Sequence, residues 1–185
     1  MQQQNTVNLG SALPYQDVFP RIDESVFCAP GSYIIGDVTV GEGSSIWYHS
    51  VLRGDIHFIR VGKMTNIQDG CVCHVTHETH PLIIGDQVTI GHRAVIHGCT
   101  VEDLCLIGIG AIVLDGAVVE TTSMVAAGAV VTPGMRVPTG TLVGGVPARV
   151  LRDLRADELE NFAASAERYQ KYAADTRKSL QPPTV

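Results

Sequence analysis

An aliphatic residue recurs every six positions through much of this chain. Between residues 101 and 137 the series is unbroken and consists of Val101, Ile107, Val113, Val119, Val125, Val131 and Val137. A period of six fits neither an α-helix, which repeats every 3.6 residues, nor a strand, which alternates. It fits short strands joined by tight turns, three to a coil, with the coils stacked as a prism. The period predicts that the aliphatic residues point inward and that a small residue four positions later lies near each corner.

The same period extends through earlier parts of the chain with three interruptions. The intervals are nine, eleven and five residues long, and they separate Leu52 from Val61, Cys73 from Ile84, and Ile96 from Val101. The eleven-residue interval contains the sequence HVTHETHP, which we expect to form a loop over residues 75–81. After residue 147 the period ends, and apolar residues at helical spacing predict an amphipathic helix from about residue 153 to residue 180.

These patterns predict an all-β fold, a hexapeptide-repeat parallel β-helix of roughly six coils with a C-terminal α-helix packed against it. Known hexapeptide-repeat prisms are left-handed, and by resemblance to them we expect left-handed coils. We expect an N-terminal cap segment over residues 1–33 and the prism over residues 34–148. Residues 149–185 would form the C-terminal helix and tail.

Composition narrows the classes of partner. The formal net charge is −6 and no cluster of Lys and Arg stands out, so nucleic-acid binding has little electrostatic support. No apolar run approaches the roughly 20 residues that span a bilayer, so we expect no membrane association. The first ten residues lack the basic and apolar regions of a secretory signal, and the cysteine count of five is odd. We therefore expect a cytoplasmic protein with reduced, buried thiols.

Three polar side chains are predicted to stack on one outer face of the prism. Arg53, His74 and His97 each directly follow an inward residue, and they are equivalent positions once the interrupted intervals are taken into account. Because stacked coils lie about 4.8 Å apart, two imidazoles in this column can bind one metal ion. The alternative is that these histidines are ordinary solvated side chains.

His92 is predicted to lie across a prism edge from His97, because it follows an inward residue by two positions. One chain does not bring it to the same metal, whereas a neighbouring chain in a cyclic trimer can do so. Such a trimer would have three equivalent sites at its subunit interfaces. Gln68 and Asp69 are predicted to lie one coil below Gly91 and His92.

Two other groups of potential ligands lie nearby in the sequence. The run CVCH at residues 71–74 is compatible with a zinc–thiolate site, but Cys71 and Cys73 occupy inward positions and are expected in the core. His77 and His80 lie in the predicted loop. They are either solvated residues or participants in proton transfer or accessory metal binding.

Several motifs together resemble the gamma-class carbonic anhydrase family. They are VLRGD at 51–55, TNIQDG at 65–70, IGHRAVIHGC at 90–99, GAIVLDGAVV at 110–119, VGGVPARVLR at 143–152 and ERYQKYA at 167–173. The resemblance covers about residues 15–175 and implies a homotrimer of left-handed β-helices. It also implies one divalent metal per subunit interface, bound by His74 and His97 of one subunit and His92 of the next. Zinc is the first expectation, with iron(II) or cobalt as alternatives.

The resemblance further implies a set of catalytic residues around the metal. These are Arg53 and Asp55 as an interface ion pair, Gln68 in contact with the metal-bound water, Asn66 and Asp69 as its polar surroundings, and Tyr169 on the terminal helix. The implied activity is the reversible hydration of carbon dioxide to bicarbonate by a hydroxide that the metal generates at neutral pH.

This chain departs from the family pattern at Ile56, where the pattern has Glu, and in the loop after His74, where Glu78 is the single acidic residue. Because an apolar side chain cannot relay a proton, we expect proton release through His77, His80, Glu78 or buffer. Other functions on this scaffold stay open. They are a non-catalytic metal-binding or assembly role, including siderophore binding, and an acyl-CoA thioesterase or acyltransferase activity.

Overall fold

A computed structural model describes residues 10–181 as short strands followed by one α-helix. The elements are β1 (Ser11–Leu13), β2 (Arg21–Ile22), β3 (Phe27–Cys28), β4 (Tyr33–Val40), β5 (Ser45–Ile46), β6 (Val51–Val61), β7 (Asn66–Ile67), β8 (Val72–His74), β9 (Leu82–Ile84), β10 (Thr89–Ile90), β11 (Val95–His97), β12 (Thr100–Val101), β13 (Leu106–Ile107), β14 (Ile112–Val113), β15 (Val118–Val119), β16 (Met124–Val125), β17 (Val130–Val131), β18 (Arg136–Val137), β19 (Thr141–Gly145), β20 (Ala148–Asp153) and α1 (Ala156–Ser179). The ends of the predicted cap and tail, at residues 1–9 and 182–185, lie outside the described residues.

The strands form a left-handed parallel β-helix of about seven turns, and the predicted fold class is confirmed. One face is an eight-stranded sheet that contains β10 and β13. The other two faces belong to a twelve-stranded sheet, which turns a corner because β6 pairs with β8 through its first half and with β9 through its second. Partners in the regular part are three repeats apart, as are Val113 and Val131.

The N-terminal segment forms the first of the seven coils, one more than the six that the period predicts. Strands β1 and β2 pair in parallel with β4, and β3 pairs in parallel with β5. Residues 11–28 therefore continue both sheets in the part of this segment that the structure describes. The six-residue series does not reveal them, because these strands lie outside its clearest run.

The inward positions of the repeat form the core. On the eight-stranded sheet six fully buried side chains stack above one another, namely Ile46, Ile67, Ile90, Ile107, Val125 and Val143. Complete burial of one such side chain contributes roughly 1.5–3 kcal/mol. Since each coil repeats this position, the column supplies hydrophobic stabilisation along the length of the prism.

Small residues occupy the corners, as the period predicts, and several carry hydroxyl groups. Ser50 Oγ donates to the carbonyl oxygen of Gln68 at 2.6 Å, and Thr65 Oγ1 donates to that of Gly85 at 2.7 Å. Each of these bonds joins one coil to the next and satisfies a main-chain acceptor.

The two longer interruptions have different structures. The nine-residue interval is part of β6, an eleven-residue strand that bends around the corner without leaving the sheet. In the eleven-residue interval Thr76 and His80 form an antiparallel bridge, and residues 77–79 between them are exposed. This segment therefore protrudes from the prism near the column of His74.

The terminal helix begins three residues later than predicted. Residues 148–153 extend as β20, which pairs antiparallel with β19 at the end of the prism. The carboxylate of Glu158 accepts a hydrogen bond from the backbone N–H of Arg155 at 2.9 Å, which satisfies a donor at the helix N-terminus. No helix in the described part of the chain has the length and apolar character that crossing a membrane requires.

Helix α1 packs along the side of the eight-stranded sheet, against β10, β5 and β3. Its buried face includes Phe162, Ala166 and Ala173. A hydrogen bond of 3.1 Å joins the hydroxyls of Ser165 and Thr89. The helix thus lies beside the coils that carry the TNIQDG and GHRAVIH motifs.

Candidate metal centre

His74 and His97 lie side by side on one outer face of the prism. Their Cα atoms are partners in β8 and β11, and their ring centroids are 5.1 Å apart. Arg53 occupies the same column one coil below, because Leu52 pairs with Cys73. The stacking that the repeat predicts for these three side chains is therefore confirmed.

Each of the two imidazoles turns one nitrogen toward the other ring. Nδ1 of His74 and Nε2 of His97 are 3.1 Å apart. Two nitrogens that bind one tetrahedral zinc ion at about 2.05 Å each would be roughly 3.3 Å apart. The observed separation therefore fits two ligands of a single ion.

Each of the remaining ring nitrogens faces a carboxylate. Asp55 Oδ1 lies 3.0 Å from Nε2 of His74, and Asp115 Oδ1 lies 2.6 Å from Nδ1 of His97. A carboxylate that pairs with the remote nitrogen of a histidine is the usual companion of a metal-binding imidazole. This pair of histidines has one such carboxylate on each side.

Both carboxyl groups have a lowered pKa. Burial by itself raises the pKa of Asp55, but hydrogen bonds from His74 and Arg53 outweigh burial and lower the pKa below its ordinary value. Burial also raises the pKa of Asp115, and hydrogen bonds from Thr76 and from the imidazole outweigh it in the same way. Both groups are therefore ionised at neutral pH and act only as hydrogen-bond acceptors.

The carboxylates favour one tautomer of each ring. Because an ionised carboxylate accepts hydrogen bonds, the nitrogen beside it is the one assigned the N–H, and the nitrogen that faces the other ring keeps its lone pair. Nδ1 of His74 and Nε2 of His97 then present lone pairs to each other at 3.1 Å. A cation placed between these two nitrogens would accept both lone pairs. The donor set therefore fits a divalent metal ion.

His92 lies at a different corner of the same chain. Its Nδ1 is 2.7 Å from Asp69 Oδ2, and its backbone N–H donates to Gln68 Oε1 at 3.2 Å. Among residues 10–181 no group of three or more His, Cys, Asp and Glu side chains is arranged to hold a metal ion. The shared metal of His92, His74 and His97 therefore stays a prediction.

Asn66 and Gln68 form a buried hydrogen-bond chain that ends at His92. Nδ2 of Asn66 donates to Thr89 Oγ1 at 2.9 Å, and Nε2 of Gln68 donates to Asn66 Oδ1 at 3.2 Å. Since both amides are buried, their orientation is set before any ligand binds. Within one chain they hold the His92 corner in place.

Tyr169 lies on α1 beside this corner. Its ring packs edge-on against Trp47 with centroids 5.8 Å apart, and both rings line a cavity of about 350 Å³ together with Asp69 and His92. Burial raises the pKa of Tyr169, and the charge of Asp69 raises it further. The phenol is therefore protonated at neutral pH and can donate a hydrogen bond.

Arg53 and Asp55 form an ion pair within one chain, because residues two apart in β6 point to the same face. Arg53 is 45% exposed, whereas Asp55 is largely covered. Ile56 lies next to them and lines a cleft of about 260 Å³ with His57 and Phe58. The apolar side chain of Ile56 offers no group for proton transfer here.

Two further residues lie at the site and are given no role by the sequence motifs, although Asp115 is part of GAIVLDGAVV. Asp115 follows the inward residue Val113 by two positions, and Val113 is the partner of Ile96 one coil away. The repeat therefore predicts that the carboxylate of Asp115 lies near His97, one coil away. Thr76 Oγ1 donates to Asp115 Oδ2 at 2.7 Å, a contact that the period does not predict because the loop does not follow it.

The other potential ligands lie apart from the facing imidazoles. His77 and Glu78 are at the exposed tip of the loop, with Nε2 and Oε1 3.8 Å apart. Cys71 and Cys73 are fully buried, and Cys71 Sγ donates to the carbonyl oxygen of Gly91 at 3.1 Å. The cysteines therefore do not reach the outer face, as their inward positions predict.

Comparison with curated proteins places carbonic anhydrases among the relatives, although no family model matches the chain. Gamma carbonic anhydrase 1, mitochondrial, of Arabidopsis thaliana is 51% identical over 173 residues, which are 89% of this chain and 63% of that protein. The chain thus spans less than two thirds of this plant relative. A Methanocaldococcus jannaschii protein named probable carbonic anhydrase is 54% identical and matches 81% of this chain and 94% of its own length. The carbonic anhydrase of Geobacillus kaustophilus is 46% identical over 80% of this chain and 81% of that protein.

Solved structures with hexapeptide repeats share the fold. A hexapeptide transferase family protein from Anaplasma phagocytophilum is 43% identical with a TM-score of 0.86, over 89% of this chain and 96% of that one. A Bacillus cereus protein described as a candidate acetyltransferase is 38% identical with a TM-score of 0.90, over 94% and 99% of the two chains.

Proposed function

This chain belongs to the gamma carbonic anhydrase family, and from that membership we propose that it hydrates carbon dioxide reversibly to bicarbonate at a metal ion held between subunits. One observation carries the proposal. His74 Nδ1 and His97 Nε2 face each other at 3.1 Å, and a carboxylate lies beside the remote nitrogen of each ring. Such an arrangement is favourable when a cation lies between the two nitrogens.

The proposed metal has three protein ligands. His74 and His97 would bind it from one subunit and His92 from a neighbouring subunit, which leaves a fourth position open. When bound, a divalent ion lowers the pKa of a water ligand to about 7 and so supplies a nucleophile for carbon dioxide at neutral pH. Zinc is the ion we propose first, with iron(II) or cobalt as alternatives, because imidazole ligands suit all three.

We propose a homotrimer as the assembly that completes this site. A column of outward apolar side chains runs beside the two histidines and consists of Val51, Val72, Val95, Ile112 and Val130. Val72 is 43% exposed in the single chain. A second copy that packs on this column would bury it and could bring its His92 corner to the facing imidazoles. Closure about a threefold axis would then produce three equal sites.

The polar residues near His92 have defined tasks in this scheme. Asp69 Oδ2 lies 2.7 Å from Nδ1 of His92, so Nε2 of His92 would be the nitrogen that binds the metal. Gln68, held by Asn66, has a further N–H on Nε2 that can orient the attacking water or the substrate. Tyr169 would donate a hydrogen bond from the adjoining cavity. Each of these groups is held in place by contacts within its own chain.

Arg53 and the loop serve the other side of the proposed site. Arg53 holds the carboxylate of Asp55, which in turn orients His74. Proton release would use His77 or His80 on the exposed loop, or buffer, because Ile56 cannot carry a proton. We therefore expect the hydration rate to rise with buffer concentration.

Two other functions have specific support. The Anaplasma and Bacillus structures are described in terms of acyl or hexapeptide transferases, which keeps acyl-CoA turnover as a second candidate. The apolar Ile56 favours a non-catalytic metal-binding or assembly role as a third. Both functions would use the same prism. They would differ from carbon dioxide hydration in the molecule that binds at the metal.

The deciding experiment combines metal analysis of protein purified without oxygen with stopped-flow carbon dioxide hydration on the same sample. We expect one metal ion per subunit, hydration that is lost when a chelator removes the metal, and no acyl-CoA turnover. Bound metal without hydration would favour the binding role, and acyl-CoA turnover would favour the transferase role. Full activity in a strictly monomeric particle would refute a site between subunits.

The compartment is proposed to be the cytoplasm. Cys71, Cys73, Cys99 and Cys105 are buried thiols without disulfide bonds, which is typical of a reducing compartment. The Arabidopsis relative is named mitochondrial, so localisation of a tagged full-length protein is the test.

A further inference from the structure

We infer that Asp115 is a positioning residue of the proposed metal centre, which orients His97 as a ligand and fastens the loop over residues 75–81 beside it. This inference rests on the proposed function, because it concerns the same site. The two carboxylate oxygens of Asp115 have separate partners. Oδ1 lies 2.6 Å from Nδ1 of His97, and Oδ2 accepts a hydrogen bond of 2.7 Å from Thr76 Oγ1.

The first contact determines which nitrogen of His97 can bind a metal. A carboxylate oxygen 2.6 Å from Nδ1 favours the tautomer that has its N–H on Nδ1, and this tautomer keeps the lone pair on Nε2. Nε2 is the nitrogen that faces His74 at 3.1 Å. Loss of the carboxylate would allow the ring to rotate or to change tautomer, and either change removes the lone pair from the metal position.

The backbone of Asp115 is held on both sides of its own coil. Its carbonyl oxygen accepts from the N–H of Gly134 at 2.9 Å, and the N–H of Gly116 donates to the Gly98 carbonyl at 2.8 Å. The carboxylate thus projects from a coil that is hydrogen-bonded to the coil on each side. A metal ligand needs support of this kind, because small displacements of the ring weaken coordination.

Gly98 provides the space that the carboxylate occupies. It has a φ of +52°, and a Cβ there would collide with Oδ1 of Asp115 and lie 2.8 Å from the Cβ of His80. The glycine directly after the ligand His97 therefore lets the carboxylate and the loop both approach the ring. The six-residue repeat does not predict a glycine at this position, because the interval from Ile96 to Val101 has five residues and departs from the repeat.

The second contact links the loop to the same carboxylate. Thr76 lies two residues after His74, and its N–H donates to the carbonyl of His80 at 3.0 Å across the base of the loop. Since Thr76 Oγ1 also donates to Asp115, the loop base and the orientation of His97 depend on one side chain. We expect a change at Thr76 to affect metal binding through Asp115, and to do so less than a change of Asp115 itself.

The test uses three variants and two readouts. Asp115→Asn keeps the shape of the side chain and removes its charge, Thr76→Val removes one donor, and Asp103→Asn is the matched control. Asp103 is also a turn aspartate whose carboxylate accepts a backbone hydrogen bond, from Asp86, but it faces no histidine. The readouts are the affinity of metal-free protein for Zn²⁺ in competition with a chelator, and the ring tautomer of His97 by nitrogen NMR.

For Asp115→Asn we expect metal affinity to fall by about 10- to 100-fold, the range for loss of a partner that orients a ligand. His97 should be protonated at Nδ1 in the metal-free wild type at mildly alkaline pH, and this preference should weaken in Asp115→Asn because a neutral amide oxygen is a weaker acceptor than a carboxylate. Thr76→Val should weaken binding by a smaller factor, and Asp103→Asn should leave both readouts unchanged.

Two results would overturn the inference, and neither needs an activity assay. One is an Asp115→Asn protein with wild-type unfolding and wild-type metal affinity. The other is a His97 ring protonated at Nε2 in the wild type, which is decisive even if Asp115→Asn does not fold. If the wild type binds no metal but His97 shows the expected tautomer that depends on Asp115, the proposed function fails while the positioning role stands.

Discussion

The interrupted half of the prism, residues 52–100, and the regular half, residues 101–137, are built from one repeat but present different chemistry on the same outer column. In the interrupted half the column consists of Arg53, His74 and His97, and in the regular half it continues as Leu114 and Thr132. The inward positions remain aliphatic or small in both halves. The core is therefore common to the two halves, and the outer column distinguishes them.

All three interruptions begin at this column. They start at Leu52, Cys73 and Ile96, which are the inward residues directly before its three polar members. A strict period would turn the chain into the next strand at these points. The extra residues instead admit Asp55, which faces His74, and Thr76, which donates to Asp115. The comparison teaches that the regular repeat builds the scaffold and supplies Asp115, whereas the candidate ligands His74 and His97 lie where the repeat is broken.

The largest effect is expected on metal content, and only for a substitution in the interrupted half of the outer column. Replacing His97 with Ala should abolish metal occupancy, because one of three ligands is lost. Leu114→Ala, one coil further along the same column, should retain one metal ion per subunit. Metal content by atomic spectroscopy after gel filtration measures both, and a His97→Ala protein that keeps a full complement would refute the assignment.

The next effect concerns the core that the halves share. Ile107→Ala should lower the free energy of unfolding by about 2–5 kcal/mol, because a fully buried side chain is truncated and leaves a cavity. Its neighbour Leu106 points outward on the same strand and is half-buried, so Leu106→Ala should cost clearly less. Urea unfolding of both variants tests this, and equal costs would contradict the inward and outward assignment.

A smaller effect is expected at the corners. Ser50→Ala should destabilise the protein by about 1–3 kcal/mol, because the hydroxyl bonds both the Gln68 carbonyl and the N–H of Cys71. Regular-half corners such as Ala111 and Ala117 have no hydroxyl to lose. Ser179→Ala, at the exposed end of the helix, is the control and should change stability by less than about 0.5 kcal/mol. An unchanged urea midpoint for Ser50→Ala would show that the corner bond is not needed.

The last prediction concerns the buried cysteines, which should not react with thiol reagents in either half of the prism. Burial raises the pKa of Cys71 to about 11 and that of Cys105 to about 12, so almost no thiolate is present at neutral pH. Iodoacetamide should label neither residue in the native protein at pH near 7, and labelling should increase only in strongly alkaline solution or after unfolding. Mass spectrometry measures the labelling. Rapid native labelling of Cys71 would show that the interrupted half has a more open core.

Much of the fold and part of the site can be predicted because the period acts locally. Six-residue spacing places Ile107 inward and Leu106 outward, and it pairs His74 with His97 on adjacent coils. It also separates His92 from both. These results need only the count of residues between turns, since every coil copies the one below it.

Other features require distances between outward side chains or between distant segments. Thr76 and Asp115 are 39 residues apart, and their contact depends on how far the loop folds back across the face. The position of α1 along the side of the prism depends on contacts such as that between Ser165 and Thr89. An amphipathic pattern shows that a helix is covered on one face but does not show by what.

The sequence by itself determined the prism, its inward column and the pairing of two histidines, because a repeated backbone leaves each inward side chain one position to occupy. The tertiary structure decided how the side chains of Asp55 and Asp115 meet the outer nitrogens of those rings, so that His74 Nδ1 and His97 Nε2 face each other. The physical reason is that outward side chains are not constrained by the packing of neighbouring coils. Their orientation is set by hydrogen bonds with segments that the repeat does not place.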